Sequence, residues 1–283
     1  TTIIEERLKA LDSITLQRGF HDPNDDKQFC AMEAAAWIAG EAHSDRPKCV
    51  SPVLGAFVRA WNDALDDEER QTLKPYIPRM IGTAGDGHDK ERAWMAADWL
   101  VRVGTPAWLE LAGLNDSAEA LRSLPPVTEA TVNEAQPTVE AARDEADAVW
   151  LAAGTAAWHP AWTAAWRATR PAAWDAVGTA AWDAAWEAAW HATGTPPWAT
   201  ARDAARDAAC DAARVAVWDV ARAAAVEAKE QGGDYSAQYA AAYAAAETKL
   251  GSEPRFEPVK AELHRSAHEL LDRMIDGPFG EHA

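Results

Sequence analysis

From Trp150 onward, every fourth residue of the chain falls in one column. It reads Trp150, Gly154, Trp158, Trp162, Trp166, Arg170, Trp174, Gly178, Trp182, Trp186, Trp190, Gly194 and Trp198, then Arg202, Arg206, Cys210, Arg214, Trp218 and Arg222. The phase never slips. The next column is mostly polar, with Asp175, Asp183, Glu187, His191, Asp203, Asp207, Asp211 and Asp219, and the other two are largely alanine. Alanine has the best helix propensity, so these tetrads favour helix. A four-residue period in a helix of 3.6 residues per turn drifts by about 40° per repeat. One long straight helix would spiral its tryptophans around the whole circumference. Burying them therefore calls for short helices, and the Gly and Pro breaks at "AAGT", "WHP", "TRP", "AVGT" and "ATGTPP" supply the ends.

The expected architecture is all-α, with one broad tryptophan ridge per short helix and the ridges packed on one another. Paired alanines would let helix backbones approach closely while tryptophan fills the gap beside them. Tryptophan is encoded by TGG, and codons for Gly, Arg and Cys, the substitutes seen in the column, lie one base away. Expansion of a four-codon unit thus accounts for the regularity without any function. Beyond Arg202, "TARDAARDAACDAARVAVWDVARAA" reads as one long helix with a solvated Arg/Asp side. After "EQGGD", Tyr235, Tyr239 and Tyr243 resume the spacing.

Composition divides the chain further. Residues 1–123 have an ordinary mixture and read as a helical N-terminal domain. The expected helices lie in Ile3–Leu16, Phe29–Glu41, Ser51–Leu65 (with Ser51 as N-cap and Pro52 in the first turn), "DDEERQTLKPYIPRMIG", "DKERAWMAADWLVRVG", "PAWLELAGL" and "SAEALRSL". Pro75 and Pro78 limit the fourth of these. No alternating apolar and polar run suggests a sheet. Residues 124–138 have the polar, proline-marked composition of a linker. Residues 139–250 form the repeat domain. Residues 251–283 hold an amphipathic helix, with Val259, Leu263, Leu270, Leu271, Met274 and Ile275 on one side, expected to pack back on the repeat.

The formal charge is −18, from 45 acids and 27 bases spread along the chain. That argues against nucleic acid as a partner, since phosphate binding needs basic patches. Acids, Gly and Pro interrupt every apolar run short of the roughly 20 residues that cross a bilayer, so no membrane is expected either. Cys30, Cys49 and Cys210 are odd in number and not closely paired, which points away from a disulfide scaffold and toward a reducing cytoplasm. The first residues, "TTIIEERLKALDSITL", are unlike a secretory leader.

Reactive side chains are densest in "FCAMEAAAWIAGEAHSDRPKCVSP", just after "GFHDPNDD". His21, Cys30, His43 and Cys49 include the residue types of a tetrahedral zinc set, but without the paired spacings of common sites. Cys49 with His43 could form a thiol nucleophile and its base, within a group completed by Glu33, Glu41 and Asp45. The plainer expectation is that Cys30 packs as a small hydrophobe inside a helix, that Asp45 and Arg46 pair or cap a loop, and that no cofactor is held. "GTAGDGHDKE" (Gly82–Glu91) has three glycines but no phosphate-loop Lys-Ser/Thr, and reads as a flexible loop.

Through "MEAAAWIAGEAHSDRPKCVSPVLGAFVRAWNDAL", "AADWLVRVGTPAWLELAGL", "LLDRMI" and tetrads such as "AAWDAAW" and "AARDAAR", nearly the whole chain resembles a group of uncharacterised proteins of actinobacteria and their phages. The resemblance implies no catalytic residues. More distantly, through alanine-rich helices alone, the chain is similar to small helical immunity-type proteins that neutralise toxins. The expected function is a non-enzymatic interaction module. It would engage or sequester another protein in phage–host or toxin–immunity conflict, with Trp158, Trp162, Trp166, Trp182, Trp186 and Trp190 as the contact residues. The alternatives are a metal- or thiol-dependent enzyme centred on Cys30, His43 and Cys49, and a protein that assembles with itself.

Overall fold

The computed structural model describes residues 2–22, 28–154, 179–190, 196–251, 253–277 and 279. Among them the chain is helical, without a strand; an isolated parallel bridge joins Leu16 and Phe29. The helices are α1 (Glu5–Ala10), α2 (Ala31–Ile38), α3 (Pro52–Ala64), α4 (Tyr76–Met80), α5 (Asp89–Trp99), α6 (Thr105–Leu111), α7 (Asn115–Arg122), α8 (Val132–Gly154), α9 (Thr179–Trp190), α10 (Pro196–Ala216), α11 (Trp218–Gln231), α12 (Tyr235–Gly251) and α13 (Phe256–Asp276). No helix among the described residues is long and apolar enough to cross a membrane.

The chain divides into two compact units that cut across the compositional regions. One holds residues 1–99, 180–194 and 266–283; the other holds 100–179 and 195–265. The C-terminal half of α13 therefore falls in the unit of the N-terminal helices, together with α9. Nor does the stretch read as a linker stay irregular. From Val132 it is helix, and Pro137 sits inside α8, within its first two turns. At the sixth helical residue the missing N–H forfeits one bond, to the Asn133 carbonyl, a local cost that the buried packing of Ala135, Val139 and Ala142 outweighs.

In the first unit, Ser51 caps α3 as its sequence position suggests, accepting the Val53 and Leu54 N–H groups at 3.3 and 3.5 Å. The core gathers Met32, Ile38, Leu54, Phe57, Trp61, Leu73, Ile77 and Met80 from α2, α3, α4 and the turn between α3 and α4, all almost fully buried. Trp61 lies edge-on to Phe57 at 5.4 Å and against His268 of α13 at 4.4 Å. Trp99 donates its indole N–H to Ser266 at 3.1 Å. Helix α1 is shorter than the periodicity from Ile3 to Leu16 predicts, because Leu11–Ser13 tightens to a 3₁₀ turn and the chain then extends. Helix side chains satisfy that extended backbone. Gln71 bonds both the N–H and the C=O of Leu16 at 3.0 Å, Asn62 takes the Gln17 carbonyl at 2.9 Å, and Asp63 the Gly19 N–H at 2.9 Å.

In the second unit, alanine builds the interior. Ala135, Val139, Ala142 and Ala146 line the buried side of α8, which packs on α10. There Ala201, Ala204, Ala205, Ala208, Ala209, Ala212, Ala213 and Ala216 are buried. Helix α6 packs on α10 as well, with the Thr105 hydroxyl on the Ala205 carbonyl at 3.4 Å. Helices α11 and α12 form a second pair around Ala221, Ala224, Ala228, Ala242 and Ala246, with Tyr239 and Tyr243 packed beside them. Methyl side chains let helix axes approach to the short end of the usual 8–10 Å range. Helix α10 covers most of the long helix expected from Thr200 onward, which breaks at Val217 before α11 begins.

Candidate functional site

The residues singled out around "FCAMEAAAWIAGEAH" converge on one buried carboxylate. Cys30 ends the extended segment and is the N-cap of α2, and Glu33 stands three residues on. The pair makes a reciprocal capping box, with the Cys30 sulfur accepting the Glu33 N–H at 3.4 Å and Glu33 Oε2 accepting the Cys30 N–H at 2.8 Å. Cys30 is therefore a cap rather than a hydrophobe within the helix. Glu33 is wholly buried, and its carboxylate accepts three more hydrogen bonds. The His21 N–H reaches Oε1 at 2.8 Å, the His21 ring Nδ1 reaches Oε2 at 2.6 Å, and His43 Nε2 reaches Oε1 at 3.0 Å. His43 Nε2 also lies 3.0 Å from the His21 carbonyl. Both neighbours of that nitrogen are acceptors, so it carries a proton. The rings of Phe20 and Phe29 pack against His43 at 5.5 and 6.3 Å.

The electrostatics follow from these contacts. Burial works against the charged form of Glu33, but the N–H groups of Cys30 and His21 and the His21 ring outweigh it and hold the carboxyl below its ordinary value. With two donors on each oxygen, the carboxylate has little capacity left for a metal ion or a substrate proton. Its work is to tie residues 20–22 and 43 to the start of α2. Among the described residues no three His, Cys, Asp or Glu side chains are arranged to hold a metal ion. His21, Cys30 and His43 surround Glu33 and direct the atoms above at it. Cys49 lies elsewhere, its carbonyl taking the N–H groups of Gly82 at 2.7 Å and Ala84 at 3.4 Å.

Neither thiol of this region is activated. Burial pushes Cys30 up to about 12, and burial with the nearby Glu41 carboxylate pushes Cys49 up to about 11. A nucleophilic thiol needs the opposite shift. Glu41 instead accepts the Lys48 N–H at 2.6 Å. Asp45 contributes its backbone carbonyl to Arg59 at 3.3 Å, and Arg46 donates its own N–H to Ser44 at 3.0 Å.

A second polar centre went unread in the sequence. Arg92 of α5 is wholly buried, with Nε on the Met274 carbonyl at 2.7 Å and the guanidinium fork on both oxygens of Asp86. Asp89 stands 3.5 Å from Nη1 and accepts the Ser51 hydroxyl. Phe279 covers the guanidinium at 5.1 Å and stacks on His88 at 4.0 Å. The stretch read as a flexible loop is thus tied down by Asp86. Its signal was present in "DGHDKER", a carboxylate six residues before an arginine, but nothing in that spacing shows burial.

For the tetrad column, Trp158, Trp162 and Trp166 lie outside the described residues, and the side chain of Trp182 is likewise not described. In α9, Ala184, Ala185, Ala188 and Ala189 are wholly buried, while Trp186 is half-buried and Trp190 is 59% exposed. Trp150 and Trp218 are half-buried and meet edge-to-face at 6.2 Å, with Arg214 over Trp150 at 5.6 Å. Where the column is described, the alanine pairs form the interior and tryptophan sits beside it or faces outward. Trp190 thus departs from the expected packed ridge, while Trp150, Trp186 and Trp218 are half-buried beside the alanines. No protein family, curated protein or solved structure matches the chain.

Proposed function

We propose that this chain is a non-enzymatic interaction module that binds another protein through outward-facing tryptophans of the tetrad helices. The observation that carries the reading is the inversion in α9, where the alanines are buried and Trp190 is more than half exposed. An exposed tryptophan on a rigid helix costs solvation in the free protein and is the side chain most enriched at binding hot spots. Glu187, exposed beside it, and the net charge of −18 favour a basic partner. Phage–host or toxin–immunity conflict is the setting we propose for that partner, in line with the two resemblances drawn from the sequence. The thiol reading has less support, because both N-terminal thiols are buried and held protonated.

The test is photo-crosslinking from position 190 in extract of the native host, followed by titration of the captured protein against purified chain. The proposal expects one defined partner, and at least a tenfold loss of affinity in the double variant Trp186→Ala/Trp190→Ala. Unchanged affinity in that variant would remove the tryptophans from the role.

A further inference from the structure

The four-residue column continues past Arg222 to Val226 and Glu230, and in α11 these residues stand opposite the buried alanines. Ala221, Ala224 and Ala228 face α12, while Arg222, Ala223, Val226, Glu227 and Glu230 line a shallow open groove on the outer side. Val226 is 50% exposed at its centre. Glu227 is already paired with Lys249 of α12 at 3.1 Å. Among the described residues, Arg222 and Glu230 each lack an ion-pair partner, although both are exposed on one stripe. Helix stability does not account for the order of these charges. Glu230 stands in the last turn, where the helix dipole disfavours an anion.

We propose that this face pairs with the same face of a second copy of the chain, the two α11 helices running antiparallel about a two-fold axis through Val226. Self-complementarity carries the inference. Arg222 lies four residues before Val226 and Glu230 four residues after it. An antiparallel two-fold pairing therefore brings each Arg222 to the other copy's Glu230, twice per dimer. The two Val226 side chains meet at the axis, and the small Ala223 beside each lets the helices close. Rows at i and i+4 are also the ridges that interdigitate in the commonest class of helix packing. A single helix pair buries less than a standard interface, so the association is weak, with a dissociation constant on the order of 100 µM. The face is separate from Trp186 and Trp190, and the proposal stands independently of the function proposed above.

The test is sedimentation equilibrium of the full chain from micromolar to near-millimolar concentration, with charge exchange. Wild type is expected to show a reversible monomer–dimer equilibrium. Arg222→Glu alone and Glu230→Arg alone each place like charges at both contacts, so each is expected to associate at least tenfold more weakly. Mixing the two variants restores opposite charges at both contacts and is expected to restore dimer, as is the double variant R222E/E230R. Circular dichroism of each variant establishes that the fold is retained. A monomeric wild type throughout the range would overturn the proposal. So would a dimer insensitive to either reversal, or single-variant losses that neither the mixture nor the double variant repairs.

Discussion

At the scale of single residues, the N-terminal unit depends on two buried charges whose partners come from distant points in sequence. Glu33 holds the segment around His21 and the ring of His43 to the start of α2. Replacing it with Gln keeps the shape but turns an amide N–H₂ toward donors, and is expected to cost about 2–4 kcal/mol. Because the folded carboxyl lies below its ordinary value of 4.5, ionised Glu33 adds stability that is fully present above that pH and is lost as pH falls through the folded value. Urea unfolding of wild type and Glu33→Gln at stepped pH should show a constant gap above about pH 5 that narrows below it. A gap independent of pH down to the acid transition would show that the charge of Glu33 is not what stabilises the fold. Arg92→Ala takes the guanidinium from Asp86, which keeps the His88 N–H, and leaves the Met274 carbonyl without that donor; it is expected to cost about 2–4 kcal/mol by the same measurement, Arg92→Lys recovering only part. Of the residues the sequence offers as metal or catalytic candidates, the structure brings His21, Cys30, Glu33 and His43 together and leaves Glu41, Asp45 and Cys49 outside the cluster. Sequence reading had no means to see that the group is saturated with its own hydrogen bonds, because donors such as the His21 and Cys30 N–H groups belong to the backbone.

At the scale of elements, most helix positions were legible because their signals are local. Ser51 and Pro52 announce α3, and the alanine tetrads announce α9 and α10. The errors fall where tertiary contacts decide. The 3₁₀ turn after α1 and the extended segment beyond it persist because Gln71, Asn62, Asp63 and Glu33 supply hydrogen bonds that a helix would have supplied internally. Trp190 faces outward where a packed ridge is expected, since hydrophobicity alone ranks tryptophan above alanine as a core residue. Close helix approach reverses that order. Ala208→Leu, on the buried side of α10, is accordingly expected to destabilise by about 1–3 kcal/mol through overpacking. Arg206→Ala on the outer side should change stability by no more than about 0.5 kcal/mol. Thermal unfolding of the two variants checks the order, and equal effects would mean that the alanine face is not closely packed.

At the scale of the whole molecule, composition and compactness part company. The repeat reads as one block in sequence, yet α9 belongs to the unit built on residues 1–99, and α13 contributes its C-terminal half to the same unit. A reading that cuts the chain where composition changes has no access to this, because contacts and not composition define a unit. The dispersed negative charge is a property of the whole chain, and it bears on which partners approach rather than on fold. The central claim, that in α9 the alanines form the interior while Trp190 faces outward, is tested most directly by the unfolding free energy of Trp186→Ala/Trp190→Ala. If the alanines are the interior, the double variant keeps its fold and loses no more than about 2 kcal/mol, since one ring is half-buried and the other mostly solvated. A loss above about 6 kcal/mol, the sum for two core tryptophans, would mean that the tryptophans are the core after all.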